Sequence, residues 1–313
     1  MKRSVAYIVC DHGLGHLRRV LLLLHNNSFF PPDTHITLFA PLTCYQKLIT
    51  SLSLPSFCSI QLIDFHTSTS LANFSVKSLN PSNWLSNLPS LQSFSSVYSD
   101  NLVDILSVRP DACITAQFFW HTIARDLNPY YFEYCTSLLQ RHNPQIYGYE
   151  LFSMPDVKSQ SGFCPIPLAF NPALLSSHQS RSFHNRNNLL ITGGSTPILQ
   201  SSLKSIMTTL LYKGPFPFST IYVDPPLLSD MHPLPSWLKP ASFSIDMFCS
   251  LRAAICRPGL GILTDLISLG VKPFLLHERN NLEMLHNSSV MTSNNLSTQV
   301  FPFPWQFSQY SNL

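Results

Sequence analysis

The chain has 313 residues, 45% of them hydrophobic and only 11% charged, with 19 Lys and Arg against 16 Asp and Glu for a net charge of +3. That length suits two domains, since one domain usually takes roughly 100–200 residues. So apolar a composition excludes a disordered chain, and so small a charge gives no bulk electrostatic case for a nucleic-acid partner.

No apolar run reaches the ~18–20 residues of a membrane-spanning helix; Val5–Cys10 and Val20–Leu24 are both short. Met1-Lys-Arg has the look of a signal-peptide start, but the apolar stretch behind it runs at once into Asp11-His12-Gly13. A cytoplasmic protein is expected, with peripheral contact to the inner face of a membrane through an amphipathic surface near Trp84–Phe94. The eight cysteines include no CxxC pair and sit mostly among apolar residues, which suits reduced, buried thiols rather than a disulfide frame or a zinc site.

In chain order, Val5–Cys10 reads as a buried parallel strand. The loop Asp11–Gly15 and an amphipathic helix from His16 to about Leu24 come next. Ile36–Ala40 and Ile60–Asp64 are further strands, and the Ser-, Asn- and Leu-rich interval from Thr67 to Ser99 has no settled character. Leu102–Ser107 is helical, Ala112–Thr115 a strand, and Ile146–Phe152 another. A stretch rich in Pro, Ser, Asn and His, 166–188, is the expected linker between domains 1–165 and 189–313. Beyond it, strands at Leu189–Thr192, Thr220–Val223, Ala253–Cys256 and Pro273–Leu276 alternate with helices at Ile198–Leu211, Ile245–Ser250, Ile262–Leu269 and Asn281–Val290. Such alternation in both halves predicts an α/β protein of two Rossmann-like parallel-sheet domains facing a cleft, with ligands at the carboxyl ends of the strands.

Average usage of about 7% would give roughly 22 glycines, whereas the chain has 10. Six of them fall in three pairs, Gly13/Gly15, Gly193/Gly194 and Gly259/Gly261, each after an apolar run and before a helical stretch. Glycine lets backbone amides approach a ligand, and a helix N-terminus beyond it offers unpaired N–H groups to an anion. Three such units point to phosphate handling; each alone is also a plain strand-to-helix turn.

The first unit puts His16 at a helix start, where a neutral imidazole can act as a general base and Asp11 or another carboxylate can orient it. Arg19, one turn on, can meet an anion as a fork of donors; packing or capping of the turn is the plainer role for His16. In Arg257–Asp265, amides of Gly259, Leu260, Gly261 and Ile262 can face a diphosphate and Asp265 a ribose. Thr264 and Asp265 are equally favourable first-turn residues. In His277–Asn287, Asn280 or Asn281 can cap the next helix with Glu283 in a capping box, a plain role that accounts for Asn280 and Asn281 better than for Glu278 and Glu283 together. The stretch Phe118–His121 can line a pocket, with Phe118 and Phe119 better placed in the core. No P-loop, HExxH or GxSxG motif occurs.

Together the three blocks resemble the GT-B superfamily of nucleotide-sugar glycosyltransferases, in particular the branch of MurG and the PseG-type UDP-sugar hydrolases. Gly13-x-Gly15-His16-x-x-Arg19 resembles that branch's N-terminal motif, and Leu189–Ser195 the opening of its donor-binding domain. Cys256-Arg257-Pro258-Gly259 through Asp265, Gly270 and on to Asn287 resembles its donor signature, with Ile262 where a hydroxyl-bearing residue is usual. The resemblance implies transfer of a sugar, UDP-linked, to an acceptor hydroxyl (a glycan, a lipid-linked or a small molecule). A nucleotide-sugar hydrolase and a non-catalytic nucleotide-sugar-binding protein are the alternatives. His16 and Asp11 would be catalytic. Gly13, Gly15, Arg19, Gly193, Gly194, Ser195, Arg257, Gly259, Leu260, Gly261, Ile262, Asp265, Glu278 and Glu283 would bind the donor. No metal or other cofactor is implied.

Overall fold

Val5, Ala6, Tyr7 and Ile8 are all fully buried, as a strand covered on both faces of a parallel sheet must be. They belong to β1 (Ser4–Ile8), which pairs in parallel with β2 (His35–Ala40) on one side and β4 (Ser96–Asp100) on the other. Val5 and Tyr7 pack into one apolar cluster, and Ala6 and Ile8 into the one on the opposite face. The computed structural model describes residues 3–11, 13–26, 29–49, 51–52, 54–67, 82–180, 186–194, 197–213, 217–229, 231 and 233–302.

The chain divides into two units, Met1–Ala169 and Phe170–Leu313. In the first, β3 (Ser59–Asp64), β5 (Cys113–Thr115), β6 (Ile146–Tyr149) and β7 (Phe163–Ile166) complete a seven-stranded parallel sheet of order β3-β2-β1-β4-β5-β6-β7. Helices α1 (Leu14–Leu23), α2 (Leu42–Leu48), α3 (Ser82–Leu85), α4 (Trp120–Ile123), α5 (Pro129–His142) and α6 (Pro155–Lys158) accompany it. The order reverses between β1 and β4. Loops leaving adjacent strands in opposite directions open a crevice at such a point.

Close packing fixes Gly148 and Gly162 in this unit. A Cβ on Gly148 in β6 would stand 2.3 Å from Ser153 Oγ and 2.6 Å from the Ala116 carbonyl oxygen.

The second unit repeats the scheme with six parallel strands in the order β10-β9-β8-β11-β12-β13. They are β8 (Asn188–Thr192), β9 (Thr220–Val223), β10 (Leu238–Pro240), β11 (Leu251–Cys256), β12 (Phe274–His277) and β13 (Gln299–Pro302). Its reversal lies between β8 and β11. The helices are α7 (Pro172–Ser180), α8 (Pro197–Lys213), α9 (Ile245–Cys249), α10 (Leu260–Ser268) and α11 (Leu282–Ser293). Helix α7 lies inside the interval read as linker and packs on α9 and α10.

One further reading changes. The apolar side chains of 84–94 do not form a lipid-facing surface: Trp84 is 4% and Leu91 7% exposed, with Leu85, Leu88 and Phe94 packed against the same core. Among the described residues no helix is long and apolar enough to cross a membrane. All eight cysteines are thiols outside any disulfide, with Cys10, Cys135, Cys249 and Cys256 buried and the other four half-buried.

Candidate functional site

The loop and helix after β1 and the carboxyl end of β4 line the first unit's crevice. Gly13 caps α1 at φ +87°, a left-handed-side conformation open to glycine, and no side chain caps the helix. His16 and Arg19, one helical turn apart, both face inward and are 9% and 8% exposed. Asp100, fully buried at the end of β4, meets them both. Its Oδ2 lies 2.7 Å from His16 Nδ1, and its Oδ1 accepts from an Arg19 guanidinium nitrogen. The same nitrogen donates to Asn101 Oδ1 at 3.2 Å. Asn101 holds φ +59°, which Asn tolerates better than most residues, and its N–H donates to the Thr115 carbonyl at 2.9 Å.

Burial alone would raise the Asp100 carboxyl, but Arg19 and His16 override it and hold it below the ordinary value. Asp100 is therefore an acceptor-only carboxylate, and His16 Nδ1 must carry the proton between them. That leaves Nε2 as the basic nitrogen. The imidazole ring packs beside a pair of aromatic side chains, its centroid 6.0 Å from Phe118, edge-on, and 5.9 Å from Trp120, tilted. Phe118 and Phe119 are core residues, 2% and 1% exposed. His121, stacked on Phe119, is pushed down to about 4 by burial and stays neutral.

In the second unit, the two turns at the β8/β11 reversal differ. The Gly193 amide donates to Asp224 Oδ2 at 2.8 Å and the Gly194 amide to Thr192 Oγ1 at 3.2 Å. Both amides are thus already satisfied from within. After β11, Gly259 caps α10 with no side-chain hydrogen bond and no acidic residue in the first turn, so the amides of Leu260, Gly261 and Ile262 have no capping partner. Beside them Arg257 Nε is held by Glu278 at 3.0 and 3.3 Å, with the rest of its guanidinium outside that contact. Asn287 Nδ2 ties α11 to the same turn through the Pro258 carbonyl at 2.9 Å.

No family model and no curated protein sequence matches this chain. Solved structures do. Arabidopsis thaliana UGT89C1 complexed with UDP-L-rhamnose is similar at TM-score 0.61 and 13% identity, over 96% of this chain and 85% of that one. The spinosyn forosaminyltransferase SpnP is similar at 0.62 and 10%, over 98% and 88%. CalG4, the calicheamicin glycosyltransferase, is similar at 0.62 and 11%, over 97% and 86%. The fold is GT-B. At such identities the likeness concerns the fold, and it does not separate the MurG and PseG branch from others.

The GT-B frame sorts the residues read from the sequence. His16 stands at the first unit's crevice, but its carboxylate is Asp100 and not Asp11. Asp11 accepts from Thr67 Oγ1 at 2.8 Å and faces His66 Nδ1 at 3.5 Å. Arg19 is not a free anion ligand, because Asp100 and Asn101 engage it in the interior. Gly13 and Gly15 are exposed at the start of α1, with open space around both. Gly193 and Gly194 have lost their amides to Asp224 and Thr192, which removes them as phosphate donors, and Ser195 lies outside the described residues.

Arg257, Gly259, Leu260, Gly261, Ile262 and Glu278 do come together around one turn. Asp265 is buried in α10 at 3% exposure. Asn281 caps α11 by accepting from Met284 N at 3.1 Å, which puts Glu283 one place short of the capping-box position. Among the described residues no three His, Cys, Asp or Glu side chains gather as a metal-holding group.

Asp100 is the residue that sequence reasoning missed. The local signal was Val97-Tyr98, β-formers within a Ser-rich stretch, closed by Asp100-Asn101.

Proposed function

We propose that this protein transfers a sugar from a nucleotide-sugar donor, UDP-linked, to an acceptor hydroxyl. The observation that carries the reading is the His16–Asp100 pair at the first unit's strand-order reversal: a buried ionised carboxylate fixing the tautomer of a histidine whose Nε2 is left basic. In the reaction His16 Nε2 takes the proton of the acceptor hydroxyl as its oxygen bonds to the anomeric carbon. The bond from that carbon to the diphosphate oxygen breaks, and the electron pair leaves with the nucleoside diphosphate. The unit-two amides of Leu260, Gly261 and Ile262 and the guanidinium of Arg257 meet the charge that develops.

Asp265, one turn into the same helix, is assigned to the ribose hydroxyls, and Glu283 to the donor sugar. No further cofactor enters this scheme. The solved structures of similar fold support the donor class, since UGT89C1 was obtained with UDP-L-rhamnose and LpCGTa with UDP.

A thermal-shift screen with UDP, GDP, CMP, dTDP and their sugars tests the donor, because a ligand of the native state raises the melting temperature by mass action. UDP and a UDP-sugar are expected to stabilise the protein, and His16→Ala to abolish transfer while sparing that shift. Nucleotide release without any acceptor would make the protein a hydrolase. Binding without loss of donor under any acceptor would make it a binding protein.

A further inference from the structure

Arg19 has no task in the reaction just described, yet it occupies the most buried charge cluster of the first unit. Burial works against its charge, and the Asp100 carboxylate more than restores it. Its Nε is buried and meets no acceptor among the described residues, so its charge is not divided with a second carboxylate. One Asp100 oxygen serves Arg19 and the other serves His16.

We propose that Arg19 is a positioning residue that cancels the Asp100 charge, so that Asp100 fixes the His16 ring without an unbalanced carboxylate beside it. With His16 neutral the three side chains sum to zero, and proton uptake takes them to +1. A histidine–carboxylate pair alone would run from −1 to zero, and its imidazolium would be favoured by the unbalanced carboxylate before any acceptor arrived. Arg19 removes that bias while leaving the Asp100 oxygen that fixes the ring.

The tyrosines, the aromatic rings and Asp11 around the cluster do not alter this count. Tyr7 on β1 and Tyr149 on β6 are both pushed up by burial and remain neutral. Phe118 and Trp120, beyond β5, are uncharged, and Asp11 beyond β1 faces Thr67 and His66. Arg18, the neighbour of Arg19 on α1, is felt at Tyr149.

The consequence for turnover rests on the glycosyl-transfer reading, but the charge assignment can be read without turnover. The His16 ring is titrated by NMR in the full chain, and where transfer is measurable the acid limb of kcat/KM is followed in parallel. In Arg19→Met the His16 midpoint and the acid limb should both move up by about one to two pH units. Arg19→Lys, which keeps the charge, should bring them back close to wild type. A midpoint unmoved in Arg19→Met overturns the proposal, because a purely structural arginine would cost stability without shifting a titration.

Should Arg19→Met fail to fold, the comparison is between Asp100→Asn and the double variant Arg19→Met/Asp100→Asn, which buries no unpaired charge. The double variant should titrate about one to two units above Asp100→Asn; coincidence of the two overturns the proposal. Absence of transfer with every donor, alongside the expected titrations, refutes the transferase reading and leaves Arg19 its role.

Discussion

Asp104 gives a prediction that depends on no assumption about activity. It lies in the short 3-10 turn Val103–Ser107 after β4, 1% exposed, against α5. Trp84 Nε1 donates to its Oδ2 at 2.6 Å, while Oδ1 has no partner at normal hydrogen-bond geometry. Burial pushes this carboxyl up to about 6, with Trp84, its own backbone amide and the nearby Tyr131 hydroxyl drawing it only part of the way back. From an unfolded value of 3.8 the rise is about two units, and at 1.36 kcal/mol per unit it represents about 3 kcal/mol.

The folded state holds the proton more tightly than the unfolded chain. Asp104 therefore contributes its full stability below pH ~3.8, and that contribution is lost as pH rises to about 6 and levels off above. In Asp104→Asn the group never ionises. The stability difference between variant and wild type should move in the variant's favour by about 3 kcal/mol between pH 3.5 and 7. Urea unfolding followed by Trp84 and Trp120 fluorescence, with Trp237 and Trp305 replaced by Phe, reads the first unit alone. Taking the difference at each pH cancels the other titrating groups. A difference that stays flat over that range would refute burial as the force on this carboxyl.

Two more outcomes are expected of the first unit. Asp100→Asn should lower turnover by about 10²–10⁴-fold, because an amide no longer fixes the His16 tautomer by charge, whereas Asp11→Asn should leave turnover near wild type; equal losses in steady-state assays would restore Asp11 to the site. Gly148→Ala should destabilise that unit by about 1–3 kcal/mol in the same urea assay, since its methyl group meets the Ala116 carbonyl, a backbone atom that cannot swing aside.

The strands buried on both faces were legible because their runs are continuous and apolar, as in Val5–Ile8, Ile36–Ala40 and Leu189–Thr192. β4 was not, because Ser96, Ser99 and Asp100 interrupt its pattern and only Val97 and Tyr98 declare it. Missing β4 meant missing Asp100. The partner of His16 lies 84 positions away and is brought to it by the β1–β4 pairing, a non-local fact with no local signature. Arg19 was visible as a residue and misread as a ligand, since a sequence does not say which way a helical guanidinium faces or what carboxylate awaits it. The same limit applied at Gly193, whose amide is consumed by Asp224 from the loop after β9.

That contrast between the two glycine turns of the second unit can be tested directly. A diphosphate brought to the Gly193 turn would face the Asp224 carboxylate, whereas at the α10 turn it meets unpaired amides and a cation. Leu260 is the first residue of α10, and Gly259 before it holds φ −70° and ψ 137°, the extended conformation that a following proline requires. Leu260→Pro therefore deletes one amide donor while leaving the helix intact, because proline is well tolerated at a first helical position. Leu260→Ala removes the same buried side chain and keeps the amide. A lost hydrogen bond to a charged group is worth about 1.5–3 kcal/mol. Calorimetric titration with UDP should then show proline weakening affinity by about 10–100-fold relative to alanine. Equal affinities in the two variants would place the diphosphate elsewhere. With the Gly193 amides already bonded within the protein, the glycine turns of the second unit would then lose their reading as an anion site.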